Sequence, residues 1–135
     1  MIKCCFLVYR RHDLTREQFE DYWGRVHSRL AVETAPAMGM VRYVQNRTRT
    51  HPLADGFQAM RGCGAADFDG MAEAWWESWE ALEAAAGAMP QEVAAAILAD
   101  EAQFIDMKRS LIFFAEERTF WPQANAAATL DEAVS

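Results

Sequence analysis

Two short segments, Ile2 to Arg10 (IKCCFLVYR) and Arg109 to Glu117 (RSLIFFAEE), constrain the fold more than any other feature of this chain. Successive side chains of a strand point to opposite faces, so the first segment sets Cys4, Phe6 and Val8 against Cys5, Leu7 and Tyr9. The second sets Leu111 and Phe113 against Ile112 and Phe114. A sheet with one face in water alternates apolar with polar residues, and these two strands do not. Both faces of the sheet that contains them therefore have to be covered.

The elements between them fix what does the covering. Thr15 with Gln18 forms a capping-box pattern, Glu17 adds an acid where the helix dipole favours one, and Phe19, Tyr22, Trp23, Val26 and Leu30 recur at helical spacing up to about Thr34, before Pro36. Met40 to Arg49 reads as a second strand and GMAEAWWES, from Gly70, as a third. A second helical region runs from Trp79 to Ala86 and from Gln91 to Phe104, broken at Gly87 and Pro90. The stretch from Thr50 to Asp67 reads as a long loop with at most a helical turn near Gln58, placed to close a pocket. The order is strand, helix, strand, strand, helix, strand: an α+β, ferredoxin-like βαββαβ fold, with an antiparallel four-stranded sheet and its helices on one face. Helices cover that face only, and a second copy of the same sheet is the economical cover for the other. One domain over residues 1–118 and a C-terminal tail over 119–135 are expected from the 135-residue length and the loss of periodicity after Thr119.

The balance of 20 acidic and 13 basic residues, a formal net charge of -7, offers nucleic acid and anionic membranes no basic cluster. No apolar run reaches the roughly 18 residues of a membrane span, and the start of the chain reads as a strand without a cleavage site, so a cytoplasmic protein is expected. Cys4, Cys5 and Cys63 have neither disulfide nor metal-ligand spacing and read as buried thiols. The three histidines likewise show no metal-site spacing: His12 and His51 fall in a turn and a loop.

The sequence resembles the EthD-like family of the dimeric α/β-barrel superfamily. The resemblance rests on YRRHDLTREQFEDYWGRVHSRL with its W-x-x-x-H spacing at Trp23 and His27, on RYVQN, on DGMAEAWWES and on DEAQFIDMKRSLIFFAEE, which together cover roughly residues 2 to 117 in order. It implies a homodimer with facing sheets, helices outside, and a pocket for a small hydrophobic molecule between sheet and helices of each subunit. It also implies an enzyme that needs no cofactor and acts on an aromatic or polyketide-like compound by proton transfer: a dehydratase (lyase), isomerase or cyclase. Cofactor-independent oxidoreductases of phenols or anthrones, non-catalytic binders of hydrophobic ligands and haem-binding branches are the alternatives within the same fold, which does not choose the reaction.

His27 is the residue onto which the family's histidine transfers. On a regular helix it lies at the border of the apolar face, a position that leaves a neutral imidazole half desolvated and able to move a proton near neutral pH. Trp23, Trp75 and Trp76 are candidates to stack on a planar ligand, and Tyr9, Tyr22 and Tyr43 to offer it a hydroxyl. Glu73 and Glu77 share a strand face with Trp75; one of them is a candidate partner for His27, the competing reading being edge-of-sheet or interface ion pairing with the several arginines. Asp100 and Glu101 read as residues that cap or end the second helical region.

Overall fold

The computed structural model describes residues 1–122. Its elements are β1 (Ile2–Val8), α1 (Arg16–Asp21), a π-helical segment (Tyr22–His27), α2 (Ser28–Thr34), β2 (Arg42–Arg47), α3 (Pro52–Arg61), β3 (Gly70–Trp76), α4 (Trp79–Ala88), α5 (Gln91–Glu101) and β4 (Leu111–Glu116). The strands form one antiparallel sheet in the order β2-β3-β1-β4, so the fold is the expected ferredoxin-like α+β arrangement. Most of the expected tail lies outside the described residues.

Antiparallel partners share a face, and the register therefore sorts the side chains. Cys4, Phe6 and Val8 lie beside Ala72, Ala74 and Ile112 on the helix side, while Lys3, Cys5 and Leu7 lie beside Met71, Glu73, Trp75, Leu111 and Phe113 on the other. The core on the helix side is Val8, Phe19, Trp23, Phe104 and Ile105, with Phe19 against both Trp23 and Phe104. Trp23 sits directly on Gly70, where a Cβ would fall 2.5 Å from Trp23 Cζ3. Glycine is required there because the indole occupies the space that any side chain needs.

Beside this core, Asp69 is almost wholly buried and is satisfied by three donors. The Arg10 backbone N–H donates to it at 2.8 Å, the Arg10 guanidinium pairs with it, and Arg16 Nη2 lies 3.2 Å away. It ties the end of β1 and the start of α1 to the residue before β3.

β4 departs from the simple picture of one covered face. Leu111, Ile112, Phe113 and Phe114 are 60, 65, 45 and 49 % exposed, so both faces of this edge strand are open. Trp79 of α4 meets this outer strand, 5.2 Å from Phe114.

The stretch expected as a loop contains a ten-residue helix, α3. His51 caps it by accepting from the Leu53 N–H, Pro52 opens it, and Gly62 ends it in the left-handed region at φ 68°. Proline at the first position and glycine just past the last are ordinary helix bounds; the helix is recognisable by its ends, since none of its residues is buried. The cysteine reading also needs a correction: Cys5 is buried and Cys4 half-buried, but Cys63, just past α3, is exposed.

Candidate active site

The first helix is not regular. After the capping box of Thr15 and Gln18, residues Tyr22–His27 take a π-helical turn in which the Ser28 N–H reaches the Trp23 carbonyl, five residues back. That carbonyl also accepts from Gln45 Nε2 at 2.9 Å, and the Gly24 carbonyl accepts the Ser28 hydroxyl at 2.8 Å. Side-chain donors thus occupy the carbonyls that the widened turn loosens. The wider turn lowers the rotation per residue and so draws His27 from the edge of the apolar face toward its centre, where both Trp23 and His27 are buried.

His27 is 9 % exposed and lies against Phe104, 5.1 Å between ring centroids. Its Nδ1 is 2.6 Å from Asp100 Oδ2, and Asp100 Oδ1 accepts the Tyr22 hydroxyl at 2.5 Å. An ionised carboxylate can only accept, so the ring proton sits on Nδ1. Nε2 has no hydrogen-bond partner among the described residues and belongs to a residue that lines a cavity. The bond to Asp100 pushes the Tyr22 hydroxyl up to about 12, which keeps it a donor.

The cavity has a volume of about 170 Å³, close to the roughly 150 Å³ of an apolar cavity that takes up benzene. It lies between the sheet and the helices. Cys4, Phe6, Ala72, Ala74, Trp76 and Tyr43 form its floor, Trp23, His27, Leu30 and Ala31 one wall, and Ile97, Glu101 and Ile105 the other. The Trp76 indole donates to the Met38 carbonyl at 2.7 Å, and Tyr43 Oη accepts from Gln45 Nε2 at 3.1 Å. Burial raises Tyr43, against the lowering effect of that donor. Among the described residues no group of three or more His, Cys, Asp or Glu side chains is arranged to hold a metal.

His27, Trp23, Tyr43 and Trp76 thus meet at one cavity, and the remaining candidates do not, Tyr22 being bonded to Asp100 outside its lining. Tyr9 donates its hydroxyl to Asp67 at 2.6 Å, under the Arg109 guanidinium, on the surface. Trp75 faces the opposite side of the sheet, flanked by Arg42 and Lys3, with its indole N–H donating to Glu117. Glu73, on that same side, pairs with Lys3 at 3.0 Å, and Glu77 lies beyond the end of β3 and is exposed. The strand alternation that groups Glu73, Glu77 and Trp75 also turns Glu73 and Trp75 away from the helices. The segment from Thr50 to Asp67 does not close the cavity. With Arg16, Thr48 and Arg49 it surrounds a separate polar hollow that includes His51, Asp55 and Gln58.

The carboxylates at the site are instead Asp100 and Glu101, which end α5 as expected and also serve the site. Asp100 holds His27. Glu101 lines the cavity, where burial first and the neighbouring Asp100 second push it up to about 7. The sequence carried a signal for both: two adjacent acids in the last turn of α5, with no basic residue there, stand where the helix dipole is least favourable to them. A locally unfavourable choice of that kind marks a residue held for another purpose.

The chain is thus a ferredoxin-like α+β protein with a histidine–carboxylate pair at an apolar cavity between sheet and helices. Residues 11–108 match the EthD domain model, and the chain belongs to the EthD family. Among solved structures it is similar to an ethyl tert-butyl ether D (EthD) family protein of Bacillus halodurans, at 20 % identity and a TM-score of 0.59, over 87 % of this chain and 98 % of that one. It is also similar to SnoaB, a cofactor-independent oxygenase from Streptomyces nogalater, at 16 % identity and a TM-score of 0.52, over 90 % and 95 % of the two chains. A dimeric ferredoxin-like protein of unknown function from Thermobifida fusca matches at 14 % identity and a TM-score of 0.52, over 86 % and 90 %. At these identities the likeness is one of fold. No curated protein matches the sequence.

Proposed function

We propose that this chain is a cofactor-independent enzyme that binds an uncharged, aromatic or polyketide-like molecule in the cavity and moves a proton on it with His27. The observation that carries the reading is the His27–Asp100 pair at 2.6 Å, with the second ring nitrogen left unpartnered at an apolar cavity. Asp100 fixes the tautomer and stabilises the imidazolium that forms when Nε2 accepts a proton from carbon or from a phenol. Trp23 and Trp76 shape a slot for a flat ligand. Dehydration, isomerisation and cyclisation all begin with such a step.

Oxygenation is the second reading, favoured by the fold shared with the Streptomyces nogalater oxygenase. There the same base would form the substrate anion that oxygen attacks, and oxygen consumption separates the two. A carrier without catalysis is the third. The functional unit we propose is a homodimer, because Leu111 and Phe113, 60 and 45 % exposed, leave the β4 side of the second sheet face apolar and open.

Acetophenone, a neutral one-ring ketone, tests the enzyme reading. Saturation-transfer NMR reports its binding, and deuterium uptake at its methyl group reports proton abstraction. His27→Ala should retain binding and lose exchange by roughly 10²- to 10⁴-fold, the usual contribution of a general base. Equal exchange by parent and variant leaves the carrier.

A further inference from the structure

The cavity contains a second titratable group that the pair of His27 and Asp100 does not use. Glu101 follows Asp100 in the last turn of α5, and the two carboxyls point to different tasks. Asp100 is bonded on both oxygens, to His27 and Tyr22, whereas Glu101 has no hydrogen bond or ion pair among the described residues and faces the cavity. It shares the cavity lining with the apolar side chains Met38, Met40, Ile97 and Ile105. The groups that sense its charge lie on the floor of the cavity: burial pushes the Tyr43 hydroxyl of β2 and the Cys4 thiol of β1 up, and Glu101 adds a smaller push to both. Tyr43 in turn accepts a hydrogen bond from Gln45 and donates none to a described residue, which leaves its own proton for a ligand oxygen.

Resting on the reading of His27 as the base, we propose that Glu101 is the general acid of the same site and that the substrate is an uncharged β-hydroxy carbonyl compound, which the protein dehydrates. His27 Nε2 takes the proton from the carbon between the carbonyl and the carbinol. The C–H electron pair becomes the new C=C bond as the C–O bond to the hydroxyl breaks. The departing oxygen takes the Glu101 proton and leaves as water, while Tyr43 holds the carbonyl oxygen. Glu101 ends as a carboxylate and His27 as an imidazolium paired with Asp100, and transfer of that proton back, through solvent at the cavity mouth, restores both. Substrate in equals enone plus water out, with no oxidant or reductant.

A carboxyl serves this task because burial raises it to about 7, so that a large fraction keeps its proton near neutral pH, where an exposed glutamate has lost it.

The test uses two probes on the full-length protein. The aldol adduct of benzaldehyde and acetone has a β-hydroxyl to lose, and its dehydration to benzalacetone is followed by ultraviolet absorbance. Acetophenone has the acidic C–H but no leaving group, and reports only the base. Glu101→Gln, nearly isosteric and unable to give up a proton, should lower elimination by roughly 10²- to 10⁴-fold. It should lower acetophenone exchange by less than tenfold, since that reaction breaks no C–O bond. His27→Ala should abolish both. Elimination by Glu101→Gln at the parent rate, a parallel loss of both reactions in that variant, or a parent that exchanges acetophenone without eliminating water would overturn the assignment of Glu101. A parent that binds acetophenone and exchanges nothing would instead overturn the reading of His27. Circular dichroism and acetophenone affinity matching the parent establish that the glutamine variant is folded.

Discussion

Asp100 Oδ2 lies 2.6 Å from His27 Nδ1 while Asp100 Oδ1 accepts the Tyr22 hydroxyl at 2.5 Å, so one carboxylate on α5 locks two side chains of the first helix. A bond of this kind fixes both the ring orientation and which nitrogen carries the proton. Asp100 does not line the cavity, and we treat it as a positioning residue. Asp100→Asn should leave acetophenone affinity unchanged while its proton exchange falls at least tenfold, up to about 10⁴-fold as for other carboxylates that orient a catalytic histidine. Loss of binding with exchange per bound ligand intact would assign Asp100 a packing role instead. Tyr22→Phe should act more weakly, costing on the order of 1 kcal/mol of stability for the lost hydrogen bond and leaving the His27 contact in place.

Glu101 makes stability depend on pH with a definite sign. Its ordinary value of 4.5 rises to about 7 in the folded chain, so between these values the folded protein retains a proton that the unfolded chain has released. Stability therefore falls as pH rises through that window, and the full cost, at most about 3 kcal/mol from 1.36 kcal/mol per unit, is present above it. Urea denaturation at matched protein concentration should find Glu101→Gln more stable than the parent at about pH 8 and nearly equal to it at about pH 4. The opposite ordering would mean that Glu101 is ionised and satisfied in the cavity.

Gly70 sets the depth at which Trp23 packs. Because a Cβ at residue 70 meets the indole at 2.5 Å, Gly70→Ala must displace Trp23, the residue that walls the cavity beside His27. Overpacking of this kind costs about 1–3 kcal/mol, measurable as a lower urea midpoint. Acetophenone affinity should change with it. An alanine variant with unaltered stability would show that the contact relaxes freely.

The open face of β4 gives an expectation for assembly. Phe113→Glu places a charge on the side of the sheet away from the helices, where Phe113 is 45 % exposed in the single chain. If a second copy covers that face, sedimentation at low micromolar concentration should show a dimer for the parent and a monomer, less stable or poorly soluble, for the variant. A well-folded monomeric parent would refute the homodimer.

The fold was legible because its signals are local and redundant: a capping box at Thr15, aromatic residues at helical spacing, and strands whose two-sided apolarity sets them in the sheet. The position of His27 was legible only in part. A wheel of 100° per residue placed it at the edge of the apolar face, whereas the π-helical turn draws it in, and that turn depends on Gln45 reaching the Trp23 carbonyl from another element. The carboxylate partner was misplaced for a similar reason. Glu73 shares a strand face with Trp75, but which face looks at the helices is decided by sheet register and packing, and Glu73 finds Lys3 on the far side. Asp100 is 73 residues from His27 in sequence, so nothing local connects them. Their only trace was the pair of acids at a helix C-terminus, where local electrostatics alone gives them no reason to be.

Nitrogen NMR of the His27 ring, in the free protein and with acetophenone added, tests the account most directly. The account predicts a protonated Nδ1 in a strong hydrogen bond to Asp100, and an unprotonated Nε2 whose resonance shifts saturably as the ketone enters the cavity. A proton on Nε2 in the neutral ring, or a ring whose nitrogens do not respond to a ligand shown to be bound, would contradict it.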